Sequence, residues 1–178
     1  NAPARNVDAA LVAELDGARD YTALFRIVKR IVESRLRKSR GGIMLGLAPM
    51  GLSPDGFFGG YFILGSNAMI LNRDVLNYIK VHEPRYHNAY AFHVLLHEYL
   101  HTLGYLGEDE VRPLAHQLSL DALGAEHPAT TIAAAMVPGM EGEAPEFFRH
   151  PVYLTVGWAP PPRPEIDLAK GLDPAAGH

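Results

Sequence analysis

The stretch Phe92-His93-Val94-Leu95-Leu96-His97-Glu98-Tyr99-Leu100-His101-Thr102-Leu103-Gly104 combines a helical pattern with residues that can do chemistry. Val94, Leu95, Leu96, Leu100 and Leu103 supply apolar faces, and the segment is predicted to be a long helix from about Asn88 to Leu103. Asn88 is placed to cap its start, and Gly104 sits where a left-handed residue closes a helix. His97 and His101 are four residues apart, so on a helix their imidazoles project from one face, one turn apart. That is the geometry two ligands of a tetrahedral zinc ion require. Glu98 stands one residue past the first ligand, where its carboxylate can reach a metal-bound water and take its proton without coordinating the metal. With nine His in 178 residues, roughly 0.02–0.03 such arrangements are expected by chance in a chain of this composition. Two incidental surface histidines are the plain alternative, and the apolar faces around them argue against it.

His93 lies one turn before His97 on the same face. Three successive turns of one straight helix cannot easily surround a single ion, so His93 is expected to pack beside the site or support a ligand. A third protein ligand must then come from downstream. Gly104 permits a sharp turn, after which Glu108, Asp109, Glu110 and His116 are the candidates. Acidic residues at a helix start are also favoured by the macrodipole alone, which must account for at least two of the three carboxylates.

The residues His97-Glu98-Tyr99-Leu100-His101 resemble the zinc motif of the zincin metallopeptidases. Glu108-Asp109-Glu110-Val111-Arg112-Pro113-Leu114-Ala115 resembles the start of the glutamate helix of gluzincins, especially the compact minigluzincin type. The resemblance implies zinc held by His97 and His101, Glu98 as general base, and Glu108 as third ligand. It also implies an edge strand above the active-site helix that binds substrate in extended form. It is specific over about 97–116 and architectural elsewhere. In many gluzincins the ligand Glu lies much further along and an Asp follows it by four, where this chain has Arg112. The metzincin pattern would need a ligand at Gly107, which has no side chain to offer. The same gap, and the presence of Glu98, separates the chain from the bacterial rRNA-processing zinc endonucleases.

Outward from this core, residues 7–17 and 20–38 read as two helices broken around Gly17. In the second, Leu24, Ile27, Val28, Ile31 and Val32 form one apolar stripe. Lys29, Arg30, Arg35, Arg37, Lys38 and Arg40 are expected on its solvated side, and Gly41-Gly42 is expected to stop it. Ile43–Leu45, Tyr61–Leu64 and Ala68–Leu71 are predicted as strands of a small antiparallel sheet, with Gly59-Gly60 a turn. Asn72 is predicted to cap a helix over 73–80. A further helix spans about 109–123 and ends at Gly124; Pro113 is expected to delay its start to near Arg112 or distort it. A short Ala-rich helix covers 129–136. From Val137 the chain is rich in Pro and Gly and reads as extended, with Trp158 an anchor. The stretch 138–178 could also lie along the cleft and hold the protein latent.

The expected architecture is therefore α+β and zincin-like. It is a single domain over 1–178 with a helical part at 1–40, a small, mostly antiparallel twisted sheet, an active-site helix and a glutamate-bearing helix. Composition fits: 48% hydrophobic, 20% charged, a net charge of -4 that gives no reason to expect nucleic acid, and no apolar run long enough for a membrane span. The absence of cysteine restricts metal ligands to His, Asp and Glu and is compatible with a cytoplasmic location. Asn1 to Asp16 has no apolar h-region and does not read as a signal peptide. The expected function is zinc-dependent hydrolysis of a peptide or protein substrate. The alternatives are a non-catalytic zinc-binding scaffold for protein recognition and, third, a zinc endoribonuclease. Tyr105, Arg112, His116 and Tyr153 are candidate oxyanion donors.

Overall fold

A computed structural model describes residues 7–52 and 58–140. Six helices and three strands are arranged as an α+β fold: α1 (Ala9–Asp16), α2 (Tyr21–Leu36), β1 (Met44–Ala48), β2 (Gly60–Phe62), β3 (Ala68–Asn72), α3 (Arg73–His82), α4 (His87–Thr102), α5 (Glu108–Leu123) and α6 (Pro128–Ala135). Helix α4 is the axis of the fold. It packs against α1, α2, α3, α5, α6 and the strands β2 and β3, and thirteen of its sixteen residues are buried.

Local chemistry sets most boundaries. Asp8 and Asp20 accept main-chain N–H groups of the first turns of α1 and α2, satisfying donors that have no partner within the helix. Asn72 caps α3 as expected, its Oδ1 taking the Asp74 N–H at 3.0 Å. The same amide donates to the carbonyls of Gly51 and Phe58, tying both flanks of the β1–β2 connection to the end of β3.

Four expectations need correcting. The sheet is mixed, in the order β1-β3-β2: β2 pairs antiparallel to β3, but β1 pairs parallel to β3 over five residue pairs. The tight turn after β2 enforces an antiparallel neighbour, whereas the connection from Ala48 to Gly60 is long enough to reverse direction and leaves β1 free to pair in parallel. Gly59-Gly60 is more than a turn. A Cβ at Gly59 would meet the Tyr90 hydroxyl at 2.8 Å, and one at Gly60 would meet the Ile70 carbonyl at 2.7 Å and Val94 at 3.1 Å. The two glycines let β2 approach α4 closely.

Helix α2 ends before Gly41-Gly42, with Arg37 in the left-handed conformation at φ 56° and its N–H returned to the Glu33 carbonyl. Asn88 lies inside α4 and caps a different helix. Its amide donates to the carbonyls of Leu15, Asp16 and Ala18 at 2.9–3.2 Å, closing the C-terminal end of α1. The expectations for 141–178, including Tyr153 and Trp158, lie outside the described residues. Among the described residues no helix is long and apolar enough to cross a membrane.

Candidate metal centre

Helix α5 starts at Glu108, earlier than Pro113 suggested. Pro113 is the sixth residue of α5, so the bond it removes is the one to the Asp109 carbonyl near the helix start, and the first turn carries three acidic residues where the macrodipole favours them. The early start matters because it puts Glu108 on the first turn of α5, directly across from the last two turns of α4. Gly104, at φ 97°, makes the reversal between the helices.

The consequence is a convergence of three ligand atoms. His101 Nε2 lies 2.9 Å from Glu108 Oε1 and 3.1 Å from His97 Nε2, and His97 Nε2 lies 3.2 Å from the Glu108 carboxylate. Tetrahedral ligands at about 2.0–2.1 Å from a metal ion stand about 3.3 Å apart, so this triangle has nearly the size of one face of such a site. Asp109, Glu110 and His116 are not part of the group, and neither is His93. The three residues could hold a metal ion.

The surroundings fix the donors. His101 Nδ1 donates to the Tyr105 carbonyl at 2.7 Å, which leaves the lone pair on Nε2, facing the other two ligands. The second Glu108 oxygen accepts from Arg112 Nε at 3.1 Å. Three lone-pair donors this close repel one another unless a cation lies among them. A proton shared between imidazole and carboxylate relieves the same repulsion, and the titration behaviour follows from that. Burial raises the Glu108 pKa, but the hydrogen bonds from His101 and His97 outweigh it and hold the carboxyl well below its usual range. Burial likewise disfavours charge on His101, yet its bond to Glu108 and the charge of Glu98 leave its pKa raised.

Glu98 is 2% exposed. Burial pushes its pKa up, against the pull of His97 and His101 and of a hydrogen bond from the main-chain N–H of Phe62. Phe62 was not anticipated from sequence, and its contact comes from the geometry of β2. The bonds between Gly59 and Asn72 and between Ile63 and Ala68 fix the alternation of the ladder. Tyr61 therefore faces β3, while the main-chain groups of Gly60 and Phe62 point away from it.

His93 is buried beside His97, with ring centroids 6.2 Å apart, and its Nδ1 has no hydrogen-bond partner among the described residues. Burial, then the neighbouring His97 and Arg112, lower its pKa to about 3. Of the expected oxyanion donors, Arg112 is held on Glu108, and the Tyr105 ring lies under Lys38 at 4.3 Å. Comparison with protein-family models, with curated proteins and with solved structures finds no match.

Proposed function

We propose that the chain is a zinc-dependent metallopeptidase of the zincin type, with His97, His101 and Glu108 as ligands and Glu98 as general base. The observation that carries this reading is the triangle of two imidazole nitrogens and one carboxylate oxygen with a buried glutamate one residue from the first ligand. Two histidines and a carboxylate are a donor set suited to zinc at a site that keeps one position open for chemistry. When bound there, zinc would acidify a coordinated water and polarise the carbonyl of the scissile bond.

The remaining steps belong to the chain. Glu98, whose burial favours the protonated form, takes one proton from the attacking water as the new C–O bond forms. It then passes that proton to the amine nitrogen as the C–N bond breaks. The Phe62 N–H keeps the carboxylate oriented while it is charged. Arg112 holds Glu108 by the oxygen that does not face His101. The outward main-chain groups of β2 other than the Phe62 N–H suit a peptide lying extended and antiparallel along that edge, which favours an unfolded segment or peptide as substrate.

The test begins with elemental analysis of the purified protein. About one zinc per chain, lost in His101→Ala and in Glu108→Ala, is expected. Cleavage of a peptide library by the wild type, lost in Glu98→Gln while zinc is retained, would complete the case. Zinc binding without any Glu98-dependent cleavage would favour a non-catalytic scaffold, and failure to take up zinc would overturn both.

A further inference from the structure

Arg40, in the link between α2 and β1, reads from sequence as the last charge of a solvated basic face. Its surroundings differ from that expectation. Its main-chain N–H donates to the Tyr99 hydroxyl at 2.9 Å. Its Nη1 donates to the Thr102 carbonyl at 2.9 Å, and its Nη2 to the Ser66 carbonyl and Asn67 Oδ1, each at 2.9 Å. The guanidinium also lies over the Phe62 ring, 5.4 Å from its centroid. One side chain therefore joins the end of α4 to the β2–β3 turn and to the residue whose N–H holds Glu98.

The carbonyls at the end of α4 show why an arginine is needed. Tyr99 O accepts from Thr102 Oγ1, Leu100 O from the N–H groups of Leu103 and Tyr105, and His101 O from the Gly104 N–H. The Thr102 carbonyl, one residue past the second imidazole ligand, is satisfied by Arg40. A guanidinium can serve this carbonyl and the turn at once because its donors form a rigid planar fork, whereas a lysine ammonium is a single point on a flexible stem. A cation at a helix C-terminus is also favoured by the macrodipole.

We propose that Arg40 is a positioning residue that sets the distance between the β2 edge and the active-site helix, and with it the width of the substrate cleft. This rests on the peptidase reading for its functional part alone; the clamp itself is a property of the fold. Sheet and helix meet here through β2, a three-residue strand, and its short length makes an added tie consequential.

The experiment compares wild type with Arg40→Lys and Arg40→Met by residue-resolved amide hydrogen exchange, zinc content and peptide kinetics. Expected in both variants is exchange faster by about tenfold or more across 60–68, with the central amides of α4 unchanged. Zinc should stay near one per chain, and KM for an extended peptide should rise more than kcat falls. Arg40→Lys keeps the charge and guards against misfolding of the uncharged variant, and its failure to restore protection would support the fork geometry. Unchanged exchange over 60–68, or exchange raised equally in α4 and the core, would overturn the clamp. A wild type that cleaves nothing would instead remove the peptidase reading, while the exchange result still decides the clamp.

Discussion

Helices α2 and α4 have the same length, sixteen residues, and cross the same core, yet they bury different chemistry. On α2 the buried residues are Leu24, Phe25, Ile27, Val28, Ile31 and Val32, a single stripe, and the charges lie off it. On α4 nearly every residue is buried, including His93, His97, Glu98 and Thr102. A buried polar group without a partner costs about 1–3 kcal/mol, so Leu or Phe would stabilise α4 better at most of these positions. Of the polar residues of α4, His97, Glu98 and His101 find partners towards α5 and β2, whereas Asn88 closes the end of α1. The contrast separates charge that water tolerates from charge that has a task, and each prediction below tests one side of it.

The largest effect is expected at Glu98. Glu98→Gln keeps shape and burial, so metal content should not change, while peptide hydrolysis falls about 10²- to 10⁴-fold. Steady-state kinetics beside elemental analysis measure both. A variant that hydrolyses normally would mean that the buried carboxylate of α4 has no catalytic task, and the contrast with α2 would lose its meaning.

Arg112 comes next. Its Nε meets the Glu108 oxygen that does not face His101, so Arg112→Leu should leave the ligand set intact and weaken zinc binding about 10- to 100-fold. Competition with a chromogenic chelator reads this directly. Affinity that does not change would reduce Arg112 to a surface ion pair of the α2 kind.

His93 sharpens the comparison without touching the ligands. It stays neutral in the folded protein, with a pKa lowered by burial to about 3, against an ordinary value of 6.5 when unfolded. Below about pH 6.5 the unfolded chain gains a proton that the folded chain refuses. The stability that this group contributes is therefore present above about pH 6.5 and is lost as pH falls towards about 3. The loss is at most about 1.4 kcal/mol per pH unit. His93→Leu should flatten the stability profile between pH 6.5 and 5, measured by urea unfolding of the metal-free protein. The shifts of His101 and Glu108 are common to both proteins and cancel in the difference. Identical slopes would show that His93 is not held neutral by its surroundings.

What could be read from the sequence follows from distance along the chain. The apolar stripe of α2, the cap at Asn72 and the left-handed Gly104 depend on neighbours within a few residues, and the structure has all three. The pair His97 and His101 is legible for the same reason, because one helical turn separates them. Spacing alone narrows the third ligand to four residues, since which acid faces α4 depends on where α5 starts, and only the family resemblance singles out Glu108. Pro113 misdirected that reading because its cost depends on a single bond in a helix's first turns. The parallel pairing of β1, the contact of Asn88 with α1 and the clamp of Arg40 are long-range choices. No periodicity encodes them, and an arginine beside Lys38 and Arg37 looks like any other solvated charge.

The smallest effect belongs to the face of α2, and it is the one most able to break the contrast. Arg30 and Glu14 form an ion pair whose side chains are 55% and 50% exposed, while those of His101 and Glu108 are 14% and 29% exposed. Water screens the first pair, and ordering two long side chains offsets most of its attraction. Arg30→Gln should therefore lower stability by less than about 1 kcal/mol, a shift of about 2–4 °C or less in Tm. The difference should shrink further in 0.5 M salt, since about 3–5 Å of screening length then remains. Metal affinity should not move, because the pair joins α1 to α2 and touches neither α4 nor α5. Differential scanning calorimetry at two salt concentrations and the same chelator competition test both points. A larger loss, insensitive to salt, would mean that the basic face of α2 supports the core. The rule that burial distinguishes working charge from solvated charge would then fail at the place where it predicts least.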